Sequence, residues 1–149
     1  MWRSPKRNAK SGAQLAASPS GLYNRRMPSV THLHDAAALD AAIEESRLRP
    51  VLLFKHSRNC GVSCEALDEL NTHLEQAGDT ATYKMVTVQT HRAVSDHAAA
   101  RLGIRHETPQ AILLRDGREI GRQIGALPAD RLLAWARNTV GANAGKAGR

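Results

Sequence analysis

Apolar and polar residues along the chain switch several times between a helical and a strand-like period, and the switches divide it into alternating elements. In "THLHDAAALDAAIEES", Leu39 and Ile43 recur at helical spacing behind Asp35, which is placed to cap the first turn, and Pro50 helps to end the segment. The run "VLLFK" is apolar without alternation, as expected of a strand covered on both faces. Next, "CEALDELNTHLEQAG" sets Ala66, Leu67, Leu70 and Leu74 on one helical stripe and stops at Gly78. "TYKMVTV" alternates Tyr83, Met85 and Thr87 against Lys84, Val86 and Val88, which predicts a second strand. The Ala-rich "SDHAAARLG" predicts a short helix with Gly103 behind it, and "TPQAILLRDGREIGRQIG" predicts two strands turning at Asp116-Gly117. A last helix opens at the proline of "LPADRLLAWARNTV", carries Leu132, Leu133 and Trp135, and closes near Gly141.

The resulting order, α β α β α β β α, implies parallel strands joined by helical crossovers and a terminal antiparallel hairpin. That is an α/β fold: a mixed sheet of about four strands with helices on both faces. In such sheets binding and chemistry gather at the carboxyl ends of the strands. The two cysteines, Cys60 and Cys64, lie just past the end of "VLLFK".

At 149 residues and 16.2 kDa the chain fits one domain that can bury its apolar surface without disulfide staples. Two cysteines are too few for a secreted disulfide scaffold, which points to a reducing, cytoplasmic setting. The formal charge of +7 changes the picture only until it is located. Arg3, Lys6, Arg7, Lys10, Arg25 and Arg26 fall in residues 1–28 with no acid among them, leaving 15 basic and 14 acidic side chains beyond. The body is close to neutral, so neither a nucleic-acid nor a membrane partner is expected. Residues 1–29 read as a basic disordered tail without the apolar run of a secretory signal or membrane span. A translation start at Met27 is the favoured reading of it, tested by the mass of the native N-terminus. Residues 30–141 form the domain, 142–149 are expected to be a flexible tail, and a monomer is expected.

Candidate chemistry centres on "FKHSRNCGVSCEALDEL". A cysteine at a helix start faces unpaired backbone N–H groups and the positive end of the helix dipole, which favour thiolate over thiol. Cys60 is therefore the expected nucleophile, with Lys55, His56 and Arg58 upstream as sources of positive potential. Ser63 stands where a CxxC enzyme has its resolving thiol; its hydroxyl can donate a hydrogen bond to a thiolate but cannot form a disulfide. Cys64 follows one turn on, about 6 Å in rise from Cys60. It is open to two readings, a partner in a strained, reducible disulfide or a small residue on the helix flank.

The strand running into "FKHSRNCGVS", the Thr-Pro of "HETPQAILLRDG" and the ending "IGALPADRLLAWARN" together resemble the thioredoxin-like superfamily. Within it, "FKHSRNC", "HRAVSDHAAARLGIRHETPQ" and the hairpin resemble the YtxJ family of monothiol bacilliredoxins, as the set FKHS, CxxS, R-x-x-S and HE-[ST]-PQ. The resemblance implies a three-layer thioredoxin-like fold and a thiol-disulfide oxidoreductase that takes bacillithiol off protein cysteines. It implies a cis Thr108-Pro109 bond opposite the nucleophile, the Thr108 backbone free to pair with substrate, and Pro109 shielding the thiolate from metal. Cys60, Ser63 and Cys64 are the expected catalytic positions, and His56, Arg58, His106, Thr108 and Pro109 the expected substrate contacts. No bound cofactor and no metal are implied; bacillithiol is the co-substrate and bacillithiolated proteins are the partners. Because bacillithiol carries a malate group, Arg58, Arg92 and Arg105 are candidate anion contacts. Two departures from thioredoxins stand out: Phe54 where they carry a buried acid, and Asn59 where they carry tryptophan. "CGVS" followed by "TPQ" keeps a monothiol glutaredoxin handling glutathione or an iron-sulfur cluster as an alternative, although "IGALPAD" lacks the Gly-Gly or paired Asp that grips that peptide. A copper carrier using the CxxxC pair and a distant histidine is the other. His91 and His97 read as surface residues.

Overall fold

A computed structural model describes residues 28–144. The expectations for residues 1–27 and 145–149 lie outside the described residues. The central strand fixes the architecture. In β2 (Val51–His56) every residue is buried, with Val51 and Leu53 packed on one side of the sheet and Leu52 and Phe54 on the other. A strand apolar on both faces requires a layer of helices over each.

The sheet contains β1 (Val30–His32), β2, β3 (Thr82–Thr87), β4 (Gln110–Arg115) and β5 (Arg118–Ile124), in the order β1-β3-β2-β4-β5. Strands β1 and β2 run parallel to β3, and β4 runs antiparallel to both β2 and β5. On one face, Leu39, Ala42 and Ile43 of α1 (Ala36–Glu45) and Val94 and Ala98 of α3 (Arg92–Leu102) cover Val51, Leu53, Val86, Ile112 and Leu114. On the other, Ala66, Leu70 and Leu74 of α2 (Gly61–Ala77) and Leu132 of α4 (Ala129–Asn143) cover Leu52, Phe54, Tyr83, Met85 and Leu113. The three-layer mixed sheet is the expected one, with five strands rather than four. The added strand, β1, has only three residues at the sheet edge and is held by its pairing with Tyr83, Lys84 and Met85.

Local chemistry explains most element ends. Asp35 accepts a hydrogen bond from the Ala38 N–H at 2.7 Å and caps α1. Asp116 and Gly117 both have positive φ, 57° and 77°, the signature of a hairpin turn that matches strand twist. That turn docks on the end of α1, where the Ser46 carbonyl and Oγ accept from the N–H groups of Asp116 and Gly117. At the bulge in β5, a Cβ on Gly121 would lie 3.0 Å from Thr139 Cγ2, a tight contact that a larger residue could make only if the neighbouring side chain shifted. Two helices begin earlier than their apolar stripes: α2 at Gly61 and α3 at Arg92. The last helix passes through Gly141, where it was expected to close, and ends at Asn143, so residues 142 and 143 belong to the fold.

Candidate active site

Three strand ends face the same edge of the sheet, and Cys60 stands there as the residue that caps α2, in extended conformation (φ −115°, ψ 119°). Among the described residues no side chain caps this helix and no acid occupies its first turn, so the N–H groups of that turn stay open to an anion. Both cysteines are free; Cys60 is half-buried and Cys64 exposed. The Cys64 N–H donates to the Cys60 carbonyl at 3.2 Å, so the first turn of α2 is regular.

The loop that delivers Cys60 is held from two sides. Ser63 is fully buried, and its Oγ accepts the Ser57 N–H at 3.2 Å. That bond braces the loop and uses only an acceptor position of the hydroxyl. Gln89, in the loop after β3, accepts the Arg58 N–H at 2.9 Å and donates to Ser57 Oγ at 2.6 Å. Nothing in the sequence reading singled out Gln89; its one signal is that a polar residue closing β3 must face the loop that leaves β2, since the two strands are neighbours.

The expected substrate contacts separate into two groups. Arg58 is exposed beside Cys60, and Arg92 and Arg105 are exposed as well, Arg92 lying 3.6 Å from Asp96. The Thr108-Pro109 bond is cis. Because Lys55 pairs with Gln110, the two residues before Gln110 run alongside His56 and Ser57. The Pro109 carbonyl accepts the Gly125 N–H at 3.0 Å, while Thr108, outside β4, makes no backbone hydrogen bond among the described residues. His56, in contrast, is buried against Phe54 beneath the start of α2. Burial lowers its pKa below the usual histidine value, with the Ser63 backbone opposing and Arg58 and His32 reinforcing. His56 is thus a neutral interior group.

Lys55 corrects the picture most. It was expected among the cations near Cys60, yet it is fully buried and turned to the face that α3 covers. Its Nζ donates to the Ser95 carbonyl at 3.3 Å and lies 2.9 Å from His106 Nδ1, which is also 3.1 Å from Ser95 Oγ. Burial pushes the Lys55 pKa down to about 8. Burial and then the Lys55 charge lower that of His106. Lys55 of "FKHS", Ser95 of the R-x-x-S pair and His106 of "HE" therefore meet in one cluster. His91 faces His34 and His97 bonds Asp40, both away from it.

Among the described residues no buried polar side chain is a carboxylate, and no group of three or more His, Cys, Asp and Glu is arranged to hold a metal. Two clefts, of ≈ 410 and ≈ 440 Å³, lie around Pro50, Gly78 and Asp79, at the opposite end of the sheet. Cys60 lines neither. At the Cys60 edge of the sheet are exposed apolar side chains instead: Val62, two residues on, and Ile124, which pairs with Gln110 next to Pro109. No helix among the described residues is long and apolar enough to cross a membrane.

A free cysteine capping a helix, at the same sheet edge as a cis-proline on a five-stranded mixed sheet, defines the thioredoxin-like class, and solved structures agree. One described as a candidate oxidoreductase with a thioredoxin fold is 27% identical, with a TM-score of 0.62 over 72% of this chain and 92% of that one. Thioredoxins from Malassezia sympodialis and Nicotiana alata share the fold at 19% and 20% identity, each with a TM-score of 0.61 over 75% of this chain and over 91% and 94% of theirs. The chain belongs to the monothiol bacilliredoxin family, whose BrxC model matches residues 31–123. Its role is thiol redox chemistry.

Proposed function

We propose that the protein removes bacillithiol from mixed disulfides on protein cysteines with one working thiol. The observation that carries this reading is Cys60: a free, half-exposed cap of α2 with a buried serine three residues on, in a monothiol bacilliredoxin chain. The Cys60 thiolate attacks the bacillithiol sulfur of the mixed disulfide. The S–S bond breaks, the protein cysteine leaves as thiolate, and a Cys60–bacillithiol disulfide forms. A second bacillithiol thiolate then attacks that disulfide, releasing bacillithiol disulfide and the Cys60 thiolate, so electrons and protons balance without a second protein thiol.

The open surface around Cys60, with Val62 and Ile124 exposed, suits a protein partner better than an enclosed small-molecule site. Unpaired Thr108 backbone groups suit β-type pairing with an extended substrate segment. Exposed Arg58 is the proposed contact for the malate carboxylates. A monomer acting in the cytoplasm, with no bound cofactor, completes the proposal. Intact-mass analysis after one equivalent of bacillithiol disulfide tests it. One bacillithiol adduct on the wild type and on Cys64→Ser, and none on Cys60→Ser, is expected; a clean loss of two hydrogens without adduct would assign the resolving role to Cys64. Equal turnover with glutathione mixed disulfides would make the protein glutaredoxin-like instead.

A further inference from the structure

Lys55 and Ser95 are fully buried polar residues that thiol exchange at Cys60 does not use, and both converge on one atom, His106 Nδ1. An ammonium has three donors and no acceptor. At 2.9 Å from Lys55 Nζ, His106 Nδ1 must therefore offer its lone pair, which puts the ring proton on Nε2. The Ser95 hydroxyl, 3.1 Å away, can donate as well as accept and is compatible with this arrangement. Protonation of both nitrogens is opposed by burial, Lys55 and Arg92, against weaker support from Asp96 and Glu107. His106 Nε2 has no partner among the described residues and is not a buried unpaired atom, so it is open to solvent. Two residues on is Thr108, whose backbone is unpaired.

We propose that Lys55 is a positioning residue that fixes His106 as the neutral Nε2–H tautomer, and that this N–H donates to an acceptor oxygen of the mixed disulfide seated against the Thr108-Pro109 loop. Neutrality matters because a neutral donor recognises a carbonyl or carboxylate without adding a cation beside the loop. The lysine supplies direction: without it an imidazole exchanges between tautomers and presents a donor only part of the time. The substrate half of this proposal rests on the proposed function; the tautomer half does not.

Two-bond ¹⁵N–¹H correlation spectra of the reduced wild type at pH 7 read the tautomer with no substrate present. A single Nε2–H form is expected, with Lys55→Met giving a mixture; an Nδ1–H or charged imidazole in the wild type would overturn the assignment. For recognition, the side-chain amide nitrogen of glutamine reaches the Nε2 position, while that of asparagine reaches Nδ1. His106→Leu and His106→Asn should raise KM about tenfold with kcat nearly unchanged, the loss of about one hydrogen bond, and His106→Gln should restore most of it. Equal KM increases for glutamine and asparagine would refute the donor role. Oxygen source is separated by substrate: an effect with bacillithiol disulfide alone assigns the small thiol's carboxylate, and one confined to protein mixed disulfides assigns a peptide carbonyl. Should the wild type not act on bacillithiol, the same variants compared on a glutathione–peptide mixed disulfide decide the donor role independently.

Discussion

Replacing Lys55 by methionine measures what it costs to bury an ammonium at the end of β2. The side chain is fully buried, and among the described residues no carboxylate pairs with its Nζ, which is held by the Ser95 carbonyl and His106. Burial lowers its pKa from 10.5 to about 8, with Asp96 opposing and Arg92 reinforcing. Below pH 8 the group is charged in both the folded and the unfolded chain, so its burial cost is carried in full. Between about pH 8 and 10.5 the unfolded chain keeps a proton that the folded chain has released, and stability rises with pH. At about 1.4 kcal/mol per pH unit the gain reaches roughly 1.4 kcal/mol by pH 9, ~2.5 kcal/mol by pH 10 and on the order of 3 kcal/mol at the plateau.

Urea unfolding of the reduced wild type and of Lys55→Met at pH 7, 8, 9 and 10 reads this directly. Subtracting the variant removes the other titrating groups, including Tyr83, whose burial raises its pKa and whose contribution is lost as pH rises above its usual range. With a urea m-value of about 2 kcal/mol/M, the difference between the two midpoints should change by ~1 M from pH 7 to pH 10. Methionine, of similar length and uncharged, should be at least as stable as lysine at pH 7 and lose that advantage by pH 10. A difference that stays flat across this range would refute the reasoning, because it would mean that water reaches Nζ and leaves its proton affinity ordinary.

Gln89→Ala removes the two bonds it makes to the Ser57-Arg58 turn and leaves the one from Ser63. The expected result is a fall of about tenfold in kcat/KM for thiol exchange with little change in Tm; Gln89→Glu, which keeps the acceptor for Arg58, should recover part of it, and an unchanged rate for alanine would show that the loop holds itself. His73 is fully buried against Tyr83, 2.7 Å from its hydroxyl. Burial lowers its pKa, so the unfolded chain takes up a proton first and stability falls as pH drops below about 6.5; His73→Gln should flatten that decline between pH 6.5 and 5 in thermal unfolding. Leu53, fully buried in β2, should cost roughly 2–5 kcal/mol on truncation to alanine, read as a lower urea midpoint.

Where one residue's chemistry dictated its local conformation, the sequence was readable. Asp35 caps α1, Asp116-Gly117 makes the hairpin turn, and the unbroken apolar run of β2 demanded helices on both sides. The strand β1 escaped because three residues with one partly buried position carry no alternation. Its existence depends on an available edge of β3, which no local window contains. The early starts of α2 and α3 escaped for a related reason: Val62 is exposed and Arg92 and Ala93 are exposed, so the first turns show no apolar stripe.

Lys55 was misjudged although its parity in the strand was available. Residues 51, 53 and 55 share a face in an extended chain, and Val51 and Leu53 pack under α1 and α3, so Lys55 had to enter that core rather than join Arg58 at the surface. What no parity rule supplies is the partner. Ser95 lies 40 residues away and His106 lies 51 away, and only the crossover of α3 behind the sheet brings them to the lysine. Once buried, each member constrains the others, because an ammonium without acceptors, or an imidazole nitrogen without a donor, is costly away from water. The fragments FKHS, R-x-x-S and HE, each weak alone, are thus one requirement stated in three places: a buried cation needs lone pairs, and a histidine two residues before Thr108 supplies one while keeping its other nitrogen outside.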